Sequence, residues 1–131
     1  PPRAGGRVIC LSAGAFALAL AAPDFTLEWR HSVTRTLWWE RWQAGAQGIA
    51  PVAARVTGPG AGMEPPPDAV WRDGAWHFTP RLAPQPQVVL ATSGTTGGGW
   101  TLCVQGACHS LPEDQGPIVI RTAPDCHATL P

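Results

Sequence analysis

The chain has 131 residues, of which 15 are Gly and 15 are Pro, and only 14% are charged, with a formal net charge of +0. Gly and Pro destabilise helix interiors by about 1 and 3 kcal/mol, so this density excludes a helical bundle or coiled coil. The 44% hydrophobic content is too high for a disordered chain, and the neutral balance lacks the electrostatic footprint of a nucleic-acid binder.

In chain order, Arg3 and Arg7 precede an apolar run from Val8 to Ala22. The run has the outline of a secretory signal but is too short to span a bilayer. It is broken by Ser12-Ala13-Gly14, and its removal would strand an odd cysteine. These features predict a retained β-hairpin over 8–20. Next, Phe25 to Val33 alternates: Phe25, Leu27, Trp29, His31 and Val33 share one face, Thr26, Glu28, Arg30 and Ser32 the other. Thr36 to Gln43 follows as a second strand, with Trp38, Glu40 and Trp42 opposed to Trp39 and Arg41. Ile49 to Val56 is a third strand, and Pro51 within it suits an edge or a strand start. A Gly/Pro loop spans Thr57 to Asp68. Val70 to Phe78 reads as a hairpin turning at Asp73-Gly74, which places Trp71 across from Trp76. A connector from Pro80 to Pro86 leads to Val88–Ala91, a polar loop spans Ser93 to Gly99, and Ile118–Ile120 forms a last strand. Short strands with regular turn signals and no credible helix predict an all-β antiparallel sandwich or open barrel, one domain over 1–131.

The four cysteines contain no C-x-x-C pair, which weakens zinc and thioredoxin-like readings. Leu102 to His109 reads as a hairpin turning at Gln105-Gly106. That sets Cys103 opposite Cys108 in a non-hydrogen-bonded pair, within disulfide range. Cys10 and Cys126 remain near the two ends, and a bridge between them would close most of the chain. Two disulfides favour an oxidising compartment; the alternative is four reduced, buried thiols.

The strings Phe25-Thr-Leu-Glu-Trp-Arg-His-Ser-Val33, Glu40-x-Trp42 and Gly60-Ala-Gly-Met-Glu-Pro-Pro66 resemble the bacterial domain of unknown function 1850 family. The resemblance runs over roughly 8–126, through Gly74-Ala75-Trp76, Pro80 and the Leu-Cys-x-x-Gly-x-Cys hairpin. One departure is Thr34, where the family usually carries an acidic residue. Genes of the family tend to sit beside TRAP transporters of the TAXI type, whose substrate-binding proteins are extracytoplasmic. The resemblance therefore implies a periplasmic or otherwise extracytoplasmic accessory of organic-solute uptake, with no enzymatic activity to carry over.

His31, Ser32 and Glu40 are the residues most easily assembled into a site, with Glu40 expected across the hairpin from His31 or near it. His31 and Ser32 point to opposite faces and cannot form a nucleophile–base pair directly. The simpler reading of His31 is a buried imidazole that holds the Gly60–Gly62 loop. That loop precedes no helix and lacks a Lys-Ser/Thr tail, so it is not a nucleotide P-loop; its free N–H groups suit an anion or a tight turn. Glu64, ahead of three prolines, is presented on a stiff segment. Seven Trp residues serve either as core or as an interaction patch, and Trp38-Trp39 must face opposite sides. His77, His109 and His127 show no metal spacing, and neither a catalytic set nor a cofactor site is assigned.

The expected function is thus a non-enzymatic extracytoplasmic binding domain serving a TRAP-type system. Its expected ligand set is His31, Ser32, Glu40, Gly60, Gly62 and Glu64, with Arg30 or Arg35 contacting a small organic anion or a transporter component. The alternatives are a protein-interaction module using exposed Trp and, further off, a small hydrolase or isomerase using His31 and Glu40.

Overall fold

A computed structural model describes residues 8–31, 36–57, 66–92, 99–124 and 126, with His31 described through its backbone alone. The strands are β1 (Val8–Ala13), β2 (Phe16–Leu20), β3 (Asp24–His31), β4 (Thr36–Gly45), β5 (Gly48–Thr57) and β6 (Val70–Arg72). They continue with β7 (Ala75–Phe78), β8 (Gln87–Leu90), β9 (Trp100–Val104), β10 (Ala107–Ser110) and β11 (Ile118–Ala123). The architecture is all-β: a four-stranded sheet in the order β2-β1-β11-β8 packs on a seven-stranded sheet in the order β10-β9-β3-β4-β5-β7-β6. Every pairing between these strands is antiparallel.

Alternation puts one apolar row from each sheet into the core. Ile9 and Leu11 of β1, Ile118 and Ile120 of β11 and Leu90 of β8 meet Phe25 and Leu27 of β3, Trp42, Ile49 and Leu102. Phe25, Leu27, Ile9, Ile49, Leu102, Ile118 and Ile120 are fully buried. The 8–20 segment is a hairpin, as its patterning indicates, and Phe16, Leu18 and Leu20 pack against the same core.

The turns follow local chemistry. Asp73-Gly74 has φ of 54° and 79°, and Gln105-Gly106 has 50° and 88°, the doubly positive pattern of a type I′ hairpin turn. Each glycine takes the second positive φ without a Cβ penalty. Strand β5 is interior to the sheet, flanked by β4 and β7, but at Pro51 it has a strand partner on the β4 side only, so the proline sits in a locally edge-like position. Proline is accommodated because the register shifts there: Arg41 pairs with Ala53 and Trp42 with Pro51, so Val52 is an extra, bulged residue. β7 pairs only with 54–57, so Pro51 faces no β7 residue that would need its missing N–H. The bulge also resets the phase of β5. Without it Ile49 and Ala54, five residues apart, would face opposite sides; with it both are buried on the inner face.

Both disulfides form. Cys103–Cys108 closes the β9–β10 hairpin with Cα atoms 4.0 Å apart, and Cys10–Cys126 joins residues 116 apart in sequence. Among the described residues no helix is long and apolar enough to cross a membrane. Loop-closure entropy grows with the length closed, so the two bridges should differ in their worth. Replacing Cys10 and Cys126 by Ser is expected to cost about 4–5 kcal/mol, against about 2 kcal/mol for Cys103 and Cys108. Urea denaturation of the two double variants measures the difference directly.

Candidate functional site

The inner face of the seven-stranded sheet is wider than the four-stranded sheet that packs on it. Beyond the Leu27 row, one rung of cross-strand partners runs Trp100–Trp29–Trp38–Val56–Trp76–Trp71 across six strands. At about 4.8 Å per strand the rung is roughly 24 Å long. Trp29 and Trp100 stack with ring centroids 6.2 Å apart, and Trp71 and Trp76 meet edge-on at 5.3 Å. Trp38 meets Phe78 of the neighbouring row edge-on at 6.0 Å. Trp29, Trp38 and Trp76 are half-buried, and the Trp100 indole N–H donates to the Ala91 carbonyl at 3.2 Å. Geometries of this kind add about 0.5–1.5 kcal/mol per aromatic pair beyond area burial. The rung is therefore a packed layer with one wet end, where Trp71 is 54% exposed.

Glu40 sits on this same inner face, paired with Leu27 on one side and Ala54 on the other. Its Oε1 accepts a hydrogen bond from the Trp42 indole N–H at 3.0 Å. Residues i and i+2 of a strand share a face, which brings the two side chains together. This bond satisfies the polar atom of a tryptophan that is 5% exposed and stacked parallel to Phe25 at 6.5 Å. Glu40 thus acts first as a structural acceptor. His31 pairs through its backbone with Thr36, whereas Glu40 pairs with Leu27. The two positions are separated by four residues of strand, about 13 Å, and are not cross-strand partners.

The remaining expected ligands divide. Arg30 is exposed and pairs with Leu37, on the outer face, opposite to Glu40. One cavity cannot be lined by both. Ser32, Arg35, Gly60, Gly62 and Glu64 lie outside the described residues, as does the His31 side chain. The described strands end beside these positions at His31, Thr36 and Thr57, all at the tryptophan-rung end of the sheet. An open cleft of about 390 Å³ lies at the other end, at the β4–β5 turn, lined by Gln43, Ala44, Gly48, Val52 and Pro84 among others; none of its lining residues is titratable.

The outer face of the seven-stranded sheet gathers a different set. Here the rung runs Glu28–Trp39–Arg55–His77–Val70. The Arg55 guanidinium lies over the Trp39 ring, 4.2 Å from its centroid. His77 is held by Arg72: the Arg72 guanidinium lies 3.3 Å from Nδ1, and Nε2 lies 3.0 Å from the Arg72 carbonyl. The Arg72 guanidinium can only donate and its carbonyl can only accept, a pairing met by the tautomer in which Nδ1 accepts and Nε2–H donates. Arg41 is tied to Asp24 at 2.7 Å. The face therefore presents one tryptophan amid arginines, with Arg30 and Glu28 beside it. Sequence reading identified Trp39 as facing away from Trp38. It passed over Arg55, whose only signal is its place between the inward-facing Ala54 and Val56.

The two faces predict opposite mutational signatures. Glu40→Ala leaves the Trp42 N–H without its acceptor and should destabilise by about 1–3 kcal/mol, while Glu40→Gln keeps an acceptor and should cost less than about 1 kcal/mol. Trp39→Ala, on the outer face, should cost about 1 kcal/mol, because it removes a half-buried ring and its single cation–π contact. Chemical denaturation of the three variants checks the assignment.

Comparison with curated proteins and with solved structures gives no match. A family model does match, described as Domain of unknown function (DUF1850), over residues 25–111. The matched span runs from the first buried residue of β3 to Leu111, just past β10, and so contains the tryptophan rung, Glu40 and the Trp39–Arg55 face. The chain belongs to the DUF1850 family.

Proposed function

We propose that this protein is a non-enzymatic extracytoplasmic accessory domain of a TAXI-type TRAP solute uptake system. In this reading it docks onto a protein component of the transporter through the outer face of its seven-stranded sheet. The observation that carries the reading is the Trp39–Arg55 contact on a face that no described strand covers. Trp and Arg are the residues most enriched at binding hot spots, and a planar face suits a protein surface better than an enclosed small molecule. Two disulfides agree with an oxidising compartment, and the family's association with TRAP genes supplies the partner class.

A small organic anion is the second reading. The exposed Arg30 and the Arg55 guanidinium favour it, since both lie on the face away from the Glu40 carboxylate. Such an anion would be met there, beside any protein contact, rather than on the inner face.

The test is binding of the purified chain to the solute-binding protein and membrane subunits of a TAXI-type system from the same host, with thermal-shift screening of organic acids alongside. Wild type is expected to bind one component, and Trp39→Ala and Arg55→Ala each to weaken that binding by about 30-fold, the equivalent of a hot-spot loss of about 2 kcal/mol. Equal binding by the variants would reject the surface. Absence of binding together with absence of stabilisation by any acid would reject the function.

A further inference from the structure

The two disulfides occupy opposite physical situations. Cys108 lies on β10, an exposed edge strand whose one sheet neighbour is β9. Cys10 lies in β1 between β2 and β11 and is 4% exposed. Thiol–disulfide exchange requires the attacking sulfur to reach one sulfur while the other departs, so access and the fate of the leaving thiolate both matter.

We propose that Cys103–Cys108 is a thiol-exchange site, opened by a dithiol reductant while Cys10–Cys126 stays closed. A thiolate of the dithiol attacks the exposed Cys108 sulfur and the Cys103–Cys108 bond breaks. Cys103 leaves as a thiolate and takes a proton from solvent. The second thiol of the reductant then attacks its own sulfur in the mixed disulfide and releases Cys108. Two electrons pass to the chain, and the reductant becomes a disulfide.

Attack on the other bridge is disfavoured from both ends. Cys10 is 4% exposed, so an incoming thiolate cannot reach its sulfur, and attack at the half-buried Cys126 would have to release Cys10 within that enclosure. Reduction at the hairpin also leaves its backbone in place. Four residue pairs, from Val104–Ala107 to Thr101–Ser110, and the Gln105-Gly106 turn hold β9 to β10 without the sulfurs. The cysteines would stay opposite each other in the ladder, so the bond can close again on oxidation. The site borders the outer face, since Cys103 pairs with Thr26 and Thr26 with Arg41. The exchange chemistry does not depend on what docks there.

The test is a timed reduction of the folded, oxidised chain, followed by alkylation and mass mapping of the four cysteines. One arm uses dithiothreitol and the other a thioredoxin-fold C-x-x-C oxidoreductase. Cys103 and Cys108 are expected to label at least about 10-fold faster than Cys10 and Cys126. Tryptophan fluorescence should stay native, and oxidised glutathione should restore the bond. Opening by the oxidoreductase at lower concentration assigns a protein dithiol as the natural source, and opening by dithiothreitol alone assigns a small dithiol. Equal labelling of the two pairs, earlier labelling of Cys10 and Cys126, or reduction of the hairpin only on unfolding would overturn the proposal.

Discussion

The register between β3 and β4 governs where every functional group of this protein lies. Eight consecutive pairs, from Asp24–Gln43 to His31–Thr36, lock the two strands together. Side chains alternate with a period of two, so a slip of β3 by one residue against β4 would turn Phe25 and Leu27 away from the core that Trp42 faces and bring Thr26 and Glu28 into it. The register is held chiefly by the apolar side, where buried Phe25 and Leu27 match Ile9, Leu11, Ile118 and Ile120 of the opposing sheet, with the Arg41–Asp24 ion pair joining the same two strands on the outer side. Once it is set, Trp38 must face inward and Trp39 outward. The separation of Glu40 from Arg30 onto different faces follows from the same constraint.

Breadth has its own consequence. Seven strands facing four leave part of the inner surface beyond the core, and the sequence supplies that part with tryptophan. Indole rings fill the space in stacked and edge-on pairs, and the Trp42 N–H is satisfied by Glu40. The abundance of Trp in a low-charge chain is thus largely architectural, with Trp39 as the residue that departs from the pattern. The Cys10–Cys126 bridge ties β1 to the segment following β11, and so reinforces the pairing of those two strands.

Most of the fold was legible because β-structure writes itself in alternation and turn chemistry. Phe25 to His31 alternates without a fault, Asp73-Gly74 demands a two-residue turn, and Gln105-Gly106 sets Cys103 against Cys108. Strand order was not legible, because nothing local says that Trp100 pairs with Trp29 or that β11 returns to β1. The bulge at Val52 escaped as well: Pro51 signals a break in pairing, but the resetting of phase appears only when Ile49 and Ala54 are both found buried. For the site, face assignment from Trp38-Trp39 succeeded. The expected closeness of Glu40 to His31 did not, because hairpin connectivity gives adjacency of strands without giving register.

Trp39 lies on a sheet face that no described strand covers, and in the proposed complex it is the residue a partner would cover. The direct test is hydroxyl-radical footprinting of the chain, alone and with the transporter component proposed as its partner. Trp39 is expected to be oxidised in the free chain and protected in the complex, while the core residue Trp42 is protected in both. A Trp39 that resists oxidation in the free chain, or that labels equally in both states, would contradict it.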